Sequence, residues 1–173
     1  MYSGLGNVGS NLVSTIENTI RDINNKSLTT INILGISSKN KNKKRNFDIQ
    51  NYNWVNNPLD LIKIKNCNVL IELIGEEKGI SFELIKNALE NKIHVVTANK
   101  ALLAKNGLEL FKIAEDNNVL LLYEAAVAGG IPILRTIKEG LATNKISKVY
   151  GILNGTTNYI LSEMENTNET FDK

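Results

Sequence analysis

Apolar residues recur along this chain in two alternating rhythms. From Asn7 to Asn24, the residues Val8, Leu12, Val13, Ile16, Ile20 and Ile23 fall at steps of three and four, which lines one face of a helix. Ile31-Asn32-Ile33-Leu34-Gly35-Ile36 is short, apolar and rich in β-branched side chains, the pattern of a buried strand. Asn57-Pro58 supplies a cap followed by a proline in the first turn, opening a short helix through Ile64. Val69 to Ile74 reads as the next strand. Ser81 to Asn91 reads as a helix that turns Phe82, Leu84, Ile85, Ala88 and Leu89 toward a sheet. Ile93 to Thr97 then reads as a strand, Gly107 to Asn117 as a helix and Val119 to Tyr123 as a strand. Strands separated by helices predict a parallel sheet covered on both faces, because a parallel connection needs a crossover and buries both sides of each strand. The first part of the chain is expected to be a doubly wound α/β domain.

After Glu124 the pattern changes to a loop of small residues, Ala125 to Gly130, then a helix opened by Pro132, a strand near Ile146 to Ile152, and Asn154-Gly155-Thr156-Thr157-Asn158. This predicts a division into residues 1–124 and the start of a second domain over 125–173. Composition agrees with a globular protein: of 173 residues, 42% are hydrophobic and 22% charged, with 20 Lys and Arg against 18 Asp and Glu for a net charge of +2. No run approaches the roughly 18 apolar residues of a membrane span, and the N-terminus lacks the layout of a secretory signal. The single cysteine, Cys67, excludes an intrachain disulfide and a thiolate-rich metal site and fits a reducing cytoplasm. Charges of both signs are spread along the chain, which argues against a nucleic-acid partner. The basic run from Ser37 to Arg45 reads as a solvated loop.

Gly4-Leu5-Gly6-Asn7-Val8-Gly9 is a GxGxxG segment at the start of the first helix. Its first glycine permits a tight turn, its second lets a pyrophosphate approach the backbone, and its third lets the helix pack close to the sheet. The helix N-terminus offers N–H groups to phosphate charge. Without a ligand, the same residues make a glycine-rich helix entry. Only Met1, Tyr2 and Ser3 precede it, so the strand that should lead into the turn is expected to be missing. The second strand ends in Ile36-Ser37-Ser38-Lys39 with no acid to hold ribose hydroxyls, and the nearby lysine favours a 2′-phosphate. Lys100 follows a strand at the edge where open α/β sheets bind ligands, or is a surface lysine. Glu124 precedes backbone carbonyls that could join it around a hard cation, or closes a plain strand-to-helix turn. His94 lies inside a strand and reads as structural, and Cys67 and Trp54 have no reactive constellation around them.

Taken together, several segments resemble homoserine dehydrogenase: residues 4–9, Ile-Glu-Leu-Ile-Gly at 71–75, His-Val-Val-Thr-Ala-Asn-Lys-Ala-Leu-Leu-Ala-Lys-Asn-Gly at 94–107, Glu-Ala-Ala-Val-Ala-Gly-Gly-Ile-Pro-Ile at 124–133, and Gly-Ile-Leu-Asn-Gly-Thr-Thr-Asn-Tyr-Ile-Leu at 151–161. The resemblance covers nearly the whole chain and replaces the plain readings of Lys100 and Glu124. It implies a Rossmann-like sheet followed by the start of an α+β substrate and dimerisation domain. It also implies NAD(P)-dependent interconversion of L-homoserine and L-aspartate 4-semialdehyde, on the route to threonine and methionine. By this resemblance Gly4, Leu5, Gly6, Asn7, Val8 and Gly9 hold the cofactor, with Ile74 and Gly75 on its nicotinamide side. Lys100 lies between cofactor and substrate, contacts the cofactor and is catalytic. Glu124 with the carbonyls of Val127, Gly129 and Ile131 binds a monovalent cation such as Na+, and Asn154, Gly155 and Thr156 bind substrate.

The implied cofactor is NADP, with NAD as the alternative. The implied partners are a small-molecule substrate and a second subunit in a homodimer, with neither nucleic acid nor membrane involved. Glu76 and Glu77 depart from the family's Gly-Gly after Ile-Gly, and the segment carrying its acidic substrate ligands and second lysine lies outside these residues. The chain therefore reads as a fragment, expected to show no turnover and only weak cofactor binding alone. Other readings are another amino-acid-pathway dehydrogenase and a non-catalytic nucleotide-binding module.

Overall fold

In the computed structural model, which describes residues 1–27, 30–152 and 154–171, the first strand is two residues long and paired on both edges. This strand, β1 (Tyr2–Ser3), runs parallel to β2 (Ile36–Ser37) on one side and to β3 (Val69–Glu72) on the other. With β4 (His94–Thr97) and β5 (Leu121–Leu122) the sheet takes the order β2-β1-β3-β4-β5, all parallel. The strand expected to be missing is thus supplied by the residues before Gly4. Tyr2 N–H donates to the Gly35 carbonyl at 3.0 Å, while Ile71 and Leu73 N–H donate to the Met1 and Ser3 carbonyls at 2.8 and 2.7 Å. Three residues are too few to display the alternation by which strands are read from sequence.

Helix α1 (Asn7–Ser27) follows β1, α2 (Ile80–Glu90) follows β3, and α3 (Lys100–Asp116) follows β4. Two apolar clusters, one for each face of the sheet, cover the strands. Val13, with half-buried Leu12 and Ile16 of α1, packs on Tyr2, Leu5, Ile36 and Ile71. Leu84, Ile85 and Leu89 of α2 join Leu102 and Leu110 of α3, Leu61, Leu70 and Val95. Alternation along β3 explains the division, since Leu70 and Ile71 point to opposite faces. Each of these fully buried aliphatic side chains stabilises the fold by about 1.5–3 kcal/mol.

Several elements differ from the pattern reading. The strand expected over Ile31–Ile36 enters the ladder only at Ile36–Ser37, because its partner β1 is two residues long. β3 stops at Glu72 instead of Ile74, where the Glu72 side chain accepts the Ile74 N–H and Gly75 adopts φ +86°. α3 starts at Lys100, seven residues before the expected Gly107, because Asn99 caps it by accepting the Leu102 N–H at 3.2 Å. The turn at Asn57-Pro58 is a 3₁₀ helix over Pro58–Lys63. His94 is structural as expected: its Nδ1 accepts the Leu120 N–H at 2.9 Å.

The chain divides into two compact units, Met1–Gly130 and Ile131–Lys173. The second holds a helical segment, α4 (Ile133–Arg135), that widens into a π-helical turn over Thr136–Gly140, and then α5 (Gly155–Thr167). The strand expected at Ile146–Ile152 does not form. Among the described residues of this unit none is assigned to a strand, and a single extended segment has no ladder to join. Leu153 lies outside the described residues.

Burial pushes the Tyr2 hydroxyl up to about 12, and burial together with its hydrogen bond to Glu17 pushes Tyr52 up as well. Between about pH 10, where the unfolded chain ionises, and pH 12 the native state therefore holds more protons, so stability falls as pH rises. Urea unfolding between pH 8 and 12 should show this loss, with a shallower decline in Tyr2→Phe. Equal slopes in the two proteins would refute the assignment to Tyr2.

Candidate functional site

Strand order reverses between the neighbours β1 and β3, which opens a crevice at the carboxyl ends of the strands. The glycine turn forms its floor. Gly4 has φ +94°, and a Cβ there would lie 2.3 Å from the Leu73 carbonyl carbon, so only glycine lets β1 turn this close to the end of β3. A Cβ on Gly9 would meet the Gly4 carbonyl oxygen at 2.0 Å, which is why α1 can rise directly from the turn. Gly6 is the opposite case: nothing lies within 4 Å of its added Cβ, so its surface faces open space. The Gly6 carbonyl accepts the Ser10 N–H at 2.9 Å in the first bond of the helix. The N–H groups of Asn7, Val8 and Gly9 precede that bond and can serve an anion.

A cavity of about 280 Å³ occupies the crevice, lined by Ser3, Gly4, Leu5, Gly6, Lys39 and Ile74 among others. The Ser3 hydroxyl is buried there without a hydrogen-bond partner among the described residues, as is that of neighbouring Ser37. An open glycine cradle, helix N–H groups and an unpartnered hydroxyl fit a phosphorylated dinucleotide.

Pattern reading did not single out Glu72, which organises the far wall. Its side chain is fully buried at the end of β3, where Oε1 accepts the Ile74 N–H at 2.8 Å and the Gly75 N–H at 3.4 Å. Its Oε2 accepts the Thr97 hydroxyl at 2.7 Å, and the Thr97 oxygen in turn accepts the Asn99 N–H at 3.0 Å. Asn99 Nδ2 then donates to the Glu76 carbonyl at 2.7 Å. One continuous network thus joins the loops after β3 and β4. A buried acid beside two strand ends is the signal that could have found it, since such a group needs several donors.

The loop after β2 exposes Lys39, Lys41, Lys43 and Lys44, as expected of a solvated loop, and is closed on itself by Arg45. The Arg45 guanidinium donates to the carbonyls of Asn40, Lys41 and Lys43 at 2.6, 3.2 and 2.9 Å and lies 5.6 Å from the Trp54 ring centre. Lys39, which lines the cavity, pairs with Glu76 of the loop after β3, with Nζ 2.7 Å from Oε1. Glu77 pairs with Lys105 at 2.7 Å, and that ammonium holds its carboxyl below the usual range.

Lys100 is exposed at the first position of α3, on the same edge but outside the cavity lining. A cation there opposes the helix dipole, costing roughly 0.3–1 kcal/mol, so helix stability does not explain it. Glu124 opens a 3₁₀ turn over Glu124–Ala126 after β5, at the end of the sheet away from the glycine turn. Val127, Gly129 and Gly130 follow, with Ala128 at φ +49° and Gly130 at φ +87°. Ile131 belongs to the second unit, and its carbonyl accepts the Ile133 N–H at 2.8 Å. No cluster of three or more His, Cys, Asp or Glu placed to hold a metal occurs among the described residues. Asn154, in the second unit, caps α5 by accepting the Thr157 N–H at 2.8 Å, with Gly155 and Thr156 exposed in its first turn.

Residues 4–124 match the family model for the NAD-binding domain of homoserine dehydrogenase, and residues 132–173 match the model described as homoserine dehydrogenase. The chain belongs to the homoserine dehydrogenase family. A homoserine dehydrogenase of Neisseria gonorrhoeae is 40% identical over 168 residues, 97% of this chain and 38% of that protein. One from Bacillus subtilis is 41% identical over 93% of the chain and 37% of its own length. The crystal structure of a homoserine dehydrogenase from Thiobacillus denitrificans superimposes with a TM-score of 0.85 at 36% identity, covering 99% of this chain and 39% of that one. The chain therefore spans about two-fifths of the length of these homoserine dehydrogenases.

Two expected outcomes test the site's construction. Gly6→Ala should leave the denaturation midpoint unchanged and weaken nicotinamide-dinucleotide binding about tenfold or more, because the methyl fills the cradle and touches no protein atom. Undiminished binding would remove the turn from the site. Glu72→Ala should lower unfolding free energy by on the order of 3 kcal/mol, since three donors lose their acceptor. A change below 0.5 kcal/mol, roughly that of an ordinary surface substitution, would contradict the network.

Proposed function

We propose that the chain carries the cofactor domain (1–124) and the start of the substrate domain (125–173) of a homoserine dehydrogenase. Its reaction interconverts L-homoserine and L-aspartate 4-semialdehyde on the route to threonine and methionine. The observation that carries this reading is the crevice at the β1/β3 reversal, built from the glycine turn and from the Ile74–Gly75 backbone held by Glu72, in a chain of this family. The presence of β1 removes the reason to expect weak cofactor binding, because the turn is anchored by parallel strands on both sides.

In this reading Gly4, Leu5, Gly6, Asn7, Val8 and Gly9 bind the pyrophosphate, and Ile74 and Gly75 orient the nicotinamide. The bound cofactor supplies or accepts the hydride. NADP is favoured, with NAD as the alternative. The support is that Lys39 lines the cavity after β2, where no acid is present to hold a ribose. Lys100 helps transfer the proton at the substrate oxygen: as an ammonium it polarises the carbonyl and gives up its proton on reduction, and as the resulting amine it takes the hydroxyl proton on oxidation. Asn154, Gly155 and Thr156 contact the substrate. Glu124 with the carbonyls of Val127, Gly129 and Ile131 supplies the donor set of a monovalent cation such as Na+. A cytoplasmic homodimer completes the proposal. No helix among the described residues is long and apolar enough to cross a membrane.

Lys100→Ala, introduced into turnover-competent protein, should lower kcat for homoserine oxidation by about two orders of magnitude, the scale of an acid–base group. A kcat within twofold, with the fold intact, would make Lys100 a surface charge.

A further inference from the structure

Resting on the reading of the crevice as a nicotinamide-dinucleotide site, we propose that Glu76 is a cofactor-specificity residue. Its carboxylate holds the Lys39 ammonium and sets the discrimination between dinucleotides with and without a 2′-phosphate. Lys39 lines the cavity after β2, Glu76 follows β3, and the glycine turn follows β1 between those strands, so the 2.7 Å ion pair joins the loops on either side of the turn. Both ends are held. The Glu76 carbonyl accepts from Asn99, itself buried as the cap of α3, and the Lys39 loop is gathered by Arg45.

The side chains are 86% and 40% exposed, so the pair is solvated and exchangeable, and it cannot be assigned to fold stability. A ligand phosphate bearing about two negative charges would take Lys39 from a single carboxylate. Glu76 would remain close by, because Asn99 fixes its backbone, and its charge would oppose the phosphate it had yielded to. A ribose with a free 2′-hydroxyl brings no such charge and can donate to the Glu76 carboxylate. The acid absent after β2 is in this way supplied from the loop after β3. Lys39 favours the phosphorylated dinucleotide, Glu76 favours the unphosphorylated one, and together they narrow the preference.

The test is nicotinamide-fluorescence titration of the chain with NADPH and with NADH, read as the ratio of Kd for NADH to Kd for NADPH. Glu76→Gln should raise the ratio roughly three- to tenfold at low salt, and by less in 0.5 M salt where exposed charges are screened. Lys39→Ala should lower it. Glu77→Gln, which removes an equal charge from the same loop but one paired with Lys105, should leave the ratio within twofold. An unchanged or lowered ratio in Glu76→Gln, or an equal rise in Glu77→Gln, overturns the assignment while cofactor binding stands. Absence of binding by either dinucleotide to the unsubstituted chain overturns the crevice reading itself.

Discussion

The carboxyl group of Glu72 has no contact with water, and the carboxyl edge of the sheet is arranged around that constraint. A polar group buried this deeply is tolerated only when donors surround it. The donors are the Ile74 and Gly75 N–H groups, which end β3, and the Thr97 hydroxyl, which ends β4. Because Thr97 and Asn99 pass the connection on to the Glu76 carbonyl, the two loops beside the crevice have one shared geometry. The same Asn99 caps α3, so the position of Lys100 follows from the network that joins the loops after β3 and β4.

The opposite wall depends on contact distance. Gly4 lies against the backbone of Leu73 and Ile74, and Gly9 against the Gly4 carbonyl, with no room for a side chain at either place. These approaches bring the start of α1 and the end of β3 together, and Gly6 remains as the open surface between them. Close packing and an open surface are thus divided among three glycines of one hexapeptide. The unpartnered Ser3 hydroxyl beneath the turn belongs to the same economy, since a polar atom left unpaired at the floor of a crevice is available to a ligand.

Charge is organised differently from shape here. Lys39, Glu76, Glu77 and Lys105 form exposed pairs over a rigid base, so they contribute little to stability and can respond to what enters the crevice. Arg45 is the exception among the basic residues of the first loop. It satisfies three carbonyls and lies beside the Trp54 ring, while the lysines of the run stay exposed.

Local pattern alone determined the alternation of helices and strands, the parallel sheet, the glycine turn and the place of Lys100 after a strand. Periodicity, capping and glycine spacing are properties of neighbouring residues and need no partner to be read. Tertiary structure decided what depends on a partner. Tyr2–Ser3 become a central strand because β2 and β3 offer them backbone groups on both sides, whereas Ile146–Ile152, equally apolar, have no strand beside them among the described residues of their unit. Glu72 is an acid in a strand until Thr97, 25 residues later, is folded against it. Lys39 is one lysine in a basic run until Glu76, 37 residues away, pairs with it. Hydrogen bonds and ion pairs between distant residues leave no periodic trace in a sequence, and these are the contacts that turn a recognisable motif into a site.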